Sequence, residues 1–108
     1  MADGVAGRFF VKQDHQGPPG VAHGGVIAAA LDEAMALAVH AEGIGAFTRS
    51  LRIELSAPAA VGTFVRLEAR VDERGERKLE TSAEATGDDG ERVAAAAATF
   101  VRRDLDSV

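Results

Sequence analysis

No cysteine occurs among the 108 residues. Disulfides, thiolate metal sites and a cysteine nucleophile are therefore excluded, and the composition fits a reducing compartment. A basic block is missing too. Twelve Lys and Arg against 17 Asp and Glu leave a net charge of −5, dispersed along the chain, so the electrostatic footprint of a nucleic-acid binder is not there. The N-terminal stretch has no continuous apolar run of signal-peptide length, because Asp3, Arg8 and Lys12 interrupt it. The most apolar run, His23 to Val39, has the length of a short membrane span, yet it carries Asp32, Glu33 and two glycines. Internal repeats, low-complexity tracts and composition shifts that would mark a second domain are also lacking. These absences predict one soluble, cytoplasmic domain over residues 1–108, with neither nucleic acid nor membrane as partner.

With 46% hydrophobic residues, the chain can build a real core. Its organising stretch reads HGGVIAAALDEAMALAV, from His23 to Val39. At roughly 100° per residue, Val26, Ile27, Ala30, Leu31, Ala34 and Leu37 form one broad apolar face. Ala28, Ala29, Met35, Ala36 and Val39 make the opposite side apolar as well. A helix apolar all round is expected in the core, and a chain this short can bury it only by curling one sheet around it. Asp32 stands in that wall. With no Lys or Arg between His23 and His40, it has no sequence-local partner to offset its desolvation, which makes it the first candidate for chemistry.

The rest of the chain supplies the wrapping. Residues 1–7 are small and polar, the composition of a frayed end, and Arg8 to Lys12 reads as a short first strand with Phe9 and Phe10 as core anchors. Gln13 to Ala22 holds His15, Gly17, Pro18, Pro19 and Gly20, which form a shaped loop leading into the helix. The helix is expected over Gly24 to His40 and ends where Gly43 and Gly45 stand. The period then changes to two, and strands are predicted over 47–57, 64–73, 78–86 and 91–102, with turn signals between them. The last is rich in alanine, leaving room for a helix to lie close. This order is an α+β architecture with the helix as filling.

The stretch from Gly17 to Val26, GPPGVAHGGV, leading into Leu31-Asp32-Glu33-Ala34-Met35, resembles the hotdog-fold acyl-CoA thioesterases of the phenylacetic-acid-pathway type. Element order and strand lengths agree along essentially the whole chain. The resemblance implies a hotdog fold, a five-stranded antiparallel sheet wrapped around one long central helix. It implies an acyl-CoA substrate and no cofactor. It assigns Asp32 as general base for a hydrolytic water or as nucleophile, the Gly24 backbone N–H as oxyanion donor, His23 as an orienting neighbour and Thr48 as a positioning hydroxyl. It further implies a homodimer or homotetramer, with Asp32 and Thr48 of one chain facing Gly24 of another.

One departure stands out. Many relatives carry Asn or Gln before the HGG opening, where this chain has Gly17, and Gln16 or His15 would have to substitute. Gly25 and Glu33 complete the expected substrate-binding set. Bland readings exist for each residue: His23 as a cap, Gly24-Gly25 as a tight helix entry, Thr48 as a strand residue, Glu33 as an exposed or interfacial group. The arginines 49, 52, 66, 70, 102 and 103 read as a solvated sheet face, some of them in reach of coenzyme A phosphates. His15, His23 and His40 lack ligand company at metal spacing. Two other functions fit the same fold: an acyl-CoA-binding protein without catalysis, and a hydratase or dehydratase. The spacing from HGG to Asp32 favours hydrolysis.

Overall fold

The computed structural model describes residues 4–103. Its elements run β1 (Gly4–Phe10), a 3-10 turn (Gln13–His15), α1 (Gly24–His40), β2 (Ala46–Leu55), β3 (Phe64–Arg74), β4 (Lys78–Gly87) and β5 (Arg92–Arg102). The strands form one antiparallel sheet in the order β1-β3-β4-β5-β2, and α1 packs against its inner face. This is the expected sheet around one helix.

Alternation explains the layers. On β3, Val65, Ala69 and Val71 are buried, while Arg66, Glu68, Arg70 and Asp72 are exposed. On β4, Leu79, Thr81, Ala83 and Ala85 point inward, and on β5 Ala94, Ala96, Ala98 and Phe100 do so. Ile27, Leu31, Ala34, Met35 and Ala38 meet them from the helix. Each large side chain fully removed from water contributes about 1.5–3 kcal/mol, and Leu31, Met35, Leu79 and Phe100 carry much of this core. The alanines of β5 let the helix settle close. Thr81 is buried with its hydroxyl donating to the Ala98 carbonyl at 3.0 Å, so the core holds a polar group at little cost.

Three expectations need correction. The first strand begins at Gly4 rather than Arg8, and only residues 1–3 of the expected frayed end lie outside the described residues. Pairing with β3 decides this, because Gly4 lies opposite Arg70, and a Cβ there would stand 2.0 Å from the Ala69 carbonyl oxygen. The second concerns the phenylalanines. Phe9 packs against the core, but Phe10 points to the outer face and meets Phe64, with ring centroids 5.0 Å apart. The third concerns the helix, which is not buried all round: Gly25, Ala29, Glu33, Leu37 and His40 form an exposed stripe. A single five-stranded sheet covers one side of a helix and its flanks, leaving the far side open.

β2 is an edge strand. Its register with β5 places Leu51, Ile53 and Leu55 on the inner face, yet Leu51 and Leu55 stay exposed, Leu55 at 56%. They lie beside the open helix stripe rather than under it. At the other end of α1, Glu42 accepts from Arg74 Nε at 2.7 Å and from Arg74 Nη2, tying the helix exit to the end of β3. This guanidinium holds the Glu42 carboxyl below its ordinary value.

Candidate active site

The loop before α1 is built by its prolines and glycines. The Val21 N–H donates to the Pro18 carbonyl at 3.1 Å around Pro19 and Gly20, and Gly20 has φ +85°, the combination a type II turn requires. Gln16 and Ala22 pair across this turn, and the Gln16 side-chain oxygen accepts from the Gly20 N–H at 2.7 Å. The Ala22 N–H to Ala59 carbonyl bond (2.8 Å) fastens the loop to the segment before β3. His23 thus arrives in a fixed place, its own N–H bonded to the His15 carbonyl at 2.8 Å.

His23 is the N-cap of α1, with extended backbone, and its Nδ1 accepts the Gly25 N–H at 2.9 Å. That bond leaves Nδ1 without a proton, so the neutral ring carries its hydrogen on Nε2. Side chains crowd both glycines that follow. A Cβ on Gly25 would stand 3.1 Å from His23 Nδ1, and one on Gly24 would stand 2.9 Å from Leu55 Cδ1. At the first helical position the Gly24 N–H has no intrahelical acceptor, and none of the described residues accepts it. It projects from the positive end of the helix dipole, where negative charge is favoured.

Two turns further on, Asp32 is half-buried at the edge of the open stripe. The Thr48 hydroxyl donates to Asp32 Oδ1 at 2.8 Å. Among the described residues Oδ2 has no hydrogen-bond partner and is not buried, so one oxygen is anchored and the other is open to an incoming group. Ala28 and Ala36 beside it are half-buried and Ala29 is exposed, so the alanine wall expected around Asp32 is an open-sided one. Within the chain Asp32 and Gly24 are eight residues apart, about 12 Å along the helix axis. A single thioester carbonyl cannot reach both groups of one chain.

A model of the thioesterase superfamily matches residues 19–94. The chain belongs to that superfamily. The matched span contains the end of the loop from Pro19 onward, the HGG opening, Asp32 and Thr48. The chain is similar to the mouse protein named acyl-coenzyme A thioesterase THEM5, 36% identical over 78 residues, which are 72% of this chain and 32% of the relative. It spans a third or less of the length of the curated relatives it matches (26% and 32%). Among solved structures, a mutant of the phenylacetic acid degradation protein PaaI from Thermus thermophilus superposes with a TM-score of 0.86 at 28% identity, covering 95% of this chain and 88% of that one. A hypothetical thioesterase protein from Streptococcus pneumoniae, solved with coenzyme A, has the same fold at a TM-score of 0.90 and 21% identity, covering 95% and 81%.

Not every expected residue of this thioesterase-superfamily chain converges. Asp32 and Thr48 meet, and His23, Gly24 and Gly25 form a second group at the helix start. Glu33 points to the other flank of α1, where it lines a groove with Arg8, Ala30 and Leu37. The proposed stand-ins for the amide of the relatives have other work: Gln16 closes its own turn, and His15 Nδ1 accepts the Lys12 N–H at 2.9 Å while its ring lies on Phe9. Gly17 packs directly on His23 instead, where a Cβ would stand 2.9 Å from His23 Cα. Sequence reasoning missed Leu55. Its alternation with Leu51 and Ile53 marks it as inward-facing, but nothing local shows that its tip covers Gly24.

Proposed function

We propose that this chain hydrolyses an acyl-CoA thioester to the free acid and coenzyme A, with an aryl or medium-length acyl group. The observation that carries the proposal is the Asp32 carboxylate, held by the Thr48 hydroxyl on one oxygen and open on the other, in a chain whose helix start presents an unengaged Gly24 N–H. Asp32 takes the proton of an attacking water, or attacks the carbonyl carbon itself and forms a mixed anhydride that water then hydrolyses to the free acid, restoring the carboxylate. The carbonyl oxygen gains negative charge against the Gly24 N–H, the C–S bond breaks, and the thiolate of coenzyme A leaves and takes up a proton. Donors of this kind are worth about 10²–10³ in rate. The relatives named acyl-coenzyme A thioesterase and phenylacetic acid degradation protein support the substrate class.

The separation of the two halves within one helix calls for a second chain. In a homodimer across the open stripe and the β2 edge, the Asp32–Thr48 pair of one copy meets Gly24 of the other, and Leu51 and Leu55 lose their exposure. A homotetramer would pair two such dimers. In this reading the chain works as one domain in the cytoplasm.

The test is release of free thiol from a panel of aryl and aliphatic acyl-CoAs by the wild type and by Asp32→Asn, with folding and mass checked for both. Turnover that falls about 10²–10⁴-fold in the variant is expected of a lost general base. A folded, self-associated wild type that turns over no member of the panel would refute hydrolysis and leave acyl-CoA binding.

A further inference from the structure

The first N–H groups of α1 are nearly all engaged. Gly25 donates to His23 Nδ1 at 2.9 Å, and Val26 and Ile27 donate to the His23 carbonyl at 3.0 and 3.4 Å. Among the described residues the Gly24 N–H alone is left without an acceptor, so its direction is set by where His23 stands. Two bonds from outside the helix fix that place. The Ala22 N–H donates to the carbonyl of the buried Ala59, and the His23 N–H donates to the His15 carbonyl, each at 2.8 Å. The second of these ends on an exposed turn, which is an anchor only if the turn itself is held.

His15 holds it from both sides. Its own N–H donates to the Lys12 carbonyl at 3.0 Å and its Nδ1 accepts the Lys12 N–H at 2.9 Å, so both backbone groups of Lys12 are tied to one residue. Accepting at Nδ1 places the ring hydrogen on Nε2. Lys12 follows Val11, which is fully buried, donates to the Thr63 carbonyl at 2.9 Å and accepts from the Gly62 N–H at 2.8 Å. A continuous path therefore runs from the sheet through Val11, Lys12, His15 and His23 to Gly24. The imidazole is half-buried on Phe9, with ring centroids 5.0 Å apart.

We propose that His15 is a positioning residue of the site: it does not touch substrate, but its Nδ1 ties the loop before α1 to the end of β1 and so aims the Gly24 N–H at the developing oxyanion. The kinetic side of the inference rests on the proposed hydrolysis, and its structural side on the bonds themselves. The contribution is to precision more than to stability. Gln13, Asp14 and Gln16 around the turn are exposed, so loosening it uncovers little apolar surface. A displacement of about 1 Å at the donor, by contrast, can cost about 10²-fold in rate. Because the donor acts on charge that develops only in the transition state, its displacement lowers kcat and leaves KM nearly unchanged.

The experiment divides the imidazole between two variants. His15→Phe keeps a ring over Phe9 and removes the acceptor, whereas His15→Asn removes the ring and keeps an acceptor oxygen two bonds from Cβ, where Nδ1 stands. Thiol release from acyl-CoAs gives kcat and KM, thermal melts give stability, and hydrogen exchange of the His23 amide reports its bond to the His15 carbonyl with or without turnover. His15→Phe is expected to melt close to the wild type, to lose kcat about tenfold or more at unchanged KM, and to exchange the His23 amide faster. His15→Asn is expected to retain wild-type kcat and a protected His23 amide. An active His15→Phe with an impaired His15→Asn would assign the residue to packing on Phe9 and overturn the proposal. Equal kinetics in both, equal losses in both, or losses that follow the melting temperature would overturn it as well. A wild type without turnover refutes hydrolysis, and the His23 amide then decides the positioning alone: exchange unchanged in His15→Phe would refute it.

Discussion

Adding one methyl group at Gly17 should weaken both the fold and the chemistry. The new Cβ of Gly17→Ala would stand 2.9 Å from His23 Cα, 3.2 Å from His23 Cβ and 3.3 Å from its Cδ2. The nearest of these is a backbone atom, so no change of rotamer removes the collision, and His23 is tied in place by its N–H bond to the His15 carbonyl. Overpacking of this kind costs about 1–3 kcal/mol. In a domain this size each kcal/mol lowers the melting temperature by roughly 4–8 °C, so a fall of at least about 4 °C is expected. The strain is released where His23 caps the helix and Gly24 presents its N–H, and a displacement of about 1 Å at such a site can cost about 10²-fold in rate. Gly20→Ala is the control. Gly20 has φ +85° with open space around it, so alanine is strained there by about 1–2 kcal/mol at the tip of the loop, away from His23. Thermal melts and thiol-release kinetics on the two variants should show similar losses of stability but a loss of kcat/KM of tenfold or more in Gly17→Ala alone. A Gly17→Ala protein with wild-type melting and kinetics would refute the packing argument, as would equal loss of activity in both.

Thr48→Val keeps the shape of the side chain and removes the hydroxyl that holds Asp32 Oδ1. Hydrogen bonds to charged groups are worth about 1.5–3 kcal/mol, so kcat should fall by about tenfold or more with KM little changed, and equal kinetics would remove Thr48 from the site. Leu55→Ala uncovers Gly24 and should shift the preferred acyl length, changing the ratio of kcat/KM between long and short acyl-CoAs by about 10-fold or more; an unchanged ratio would take Leu55 away from the acyl group. Leu31→Ala opens a cavity at the centre of the core and should cost about 2–5 kcal/mol in denaturant unfolding. Glu42→Gln tests the clamp on Arg74. The Glu42 carboxyl is held below its ordinary value of 4.5, so its contribution is fully present above that value and disappears as the pH falls through the lowered one. The variant should be destabilised by up to about 1 kcal/mol at pH 7 and match the wild type near pH 2; a difference that survives at acid pH would contradict this.

Much of the fold was legible because its signals are local. The period of two from Phe47 onward and the apolar run after His23 place β2 to β5 and α1 within about two residues of where they lie. The start of β1 is not legible in the sequence, because Gly4, Ala6 and Gly7 carry no pattern; pairing with the edge of β3 makes them a strand. The candidate site was legible in its members more than in its layout. Asp32 was marked by its setting and Gly24 by its place at the helix start, and the Asp32–Thr48 bond joins residues 16 apart that helix and sheet bring together. Gln16 and His15 lie in the right loop, but their side chains are spent on bonds that only the folded turn creates.

Alternation, the bounds of the helix and the carboxylate among alanines are local properties of the chain, since hydrophobic period, capping and composition act within a few residues. Folding in three dimensions supplies the rest. It sets which flank of α1 stays open, lays Leu55 over Gly24, presses Gly17 onto His23 and joins Asp32 to Thr48. Those relations depend on strand order and register, which bring distant residues within a few ångströms, and no local pattern encodes such distances.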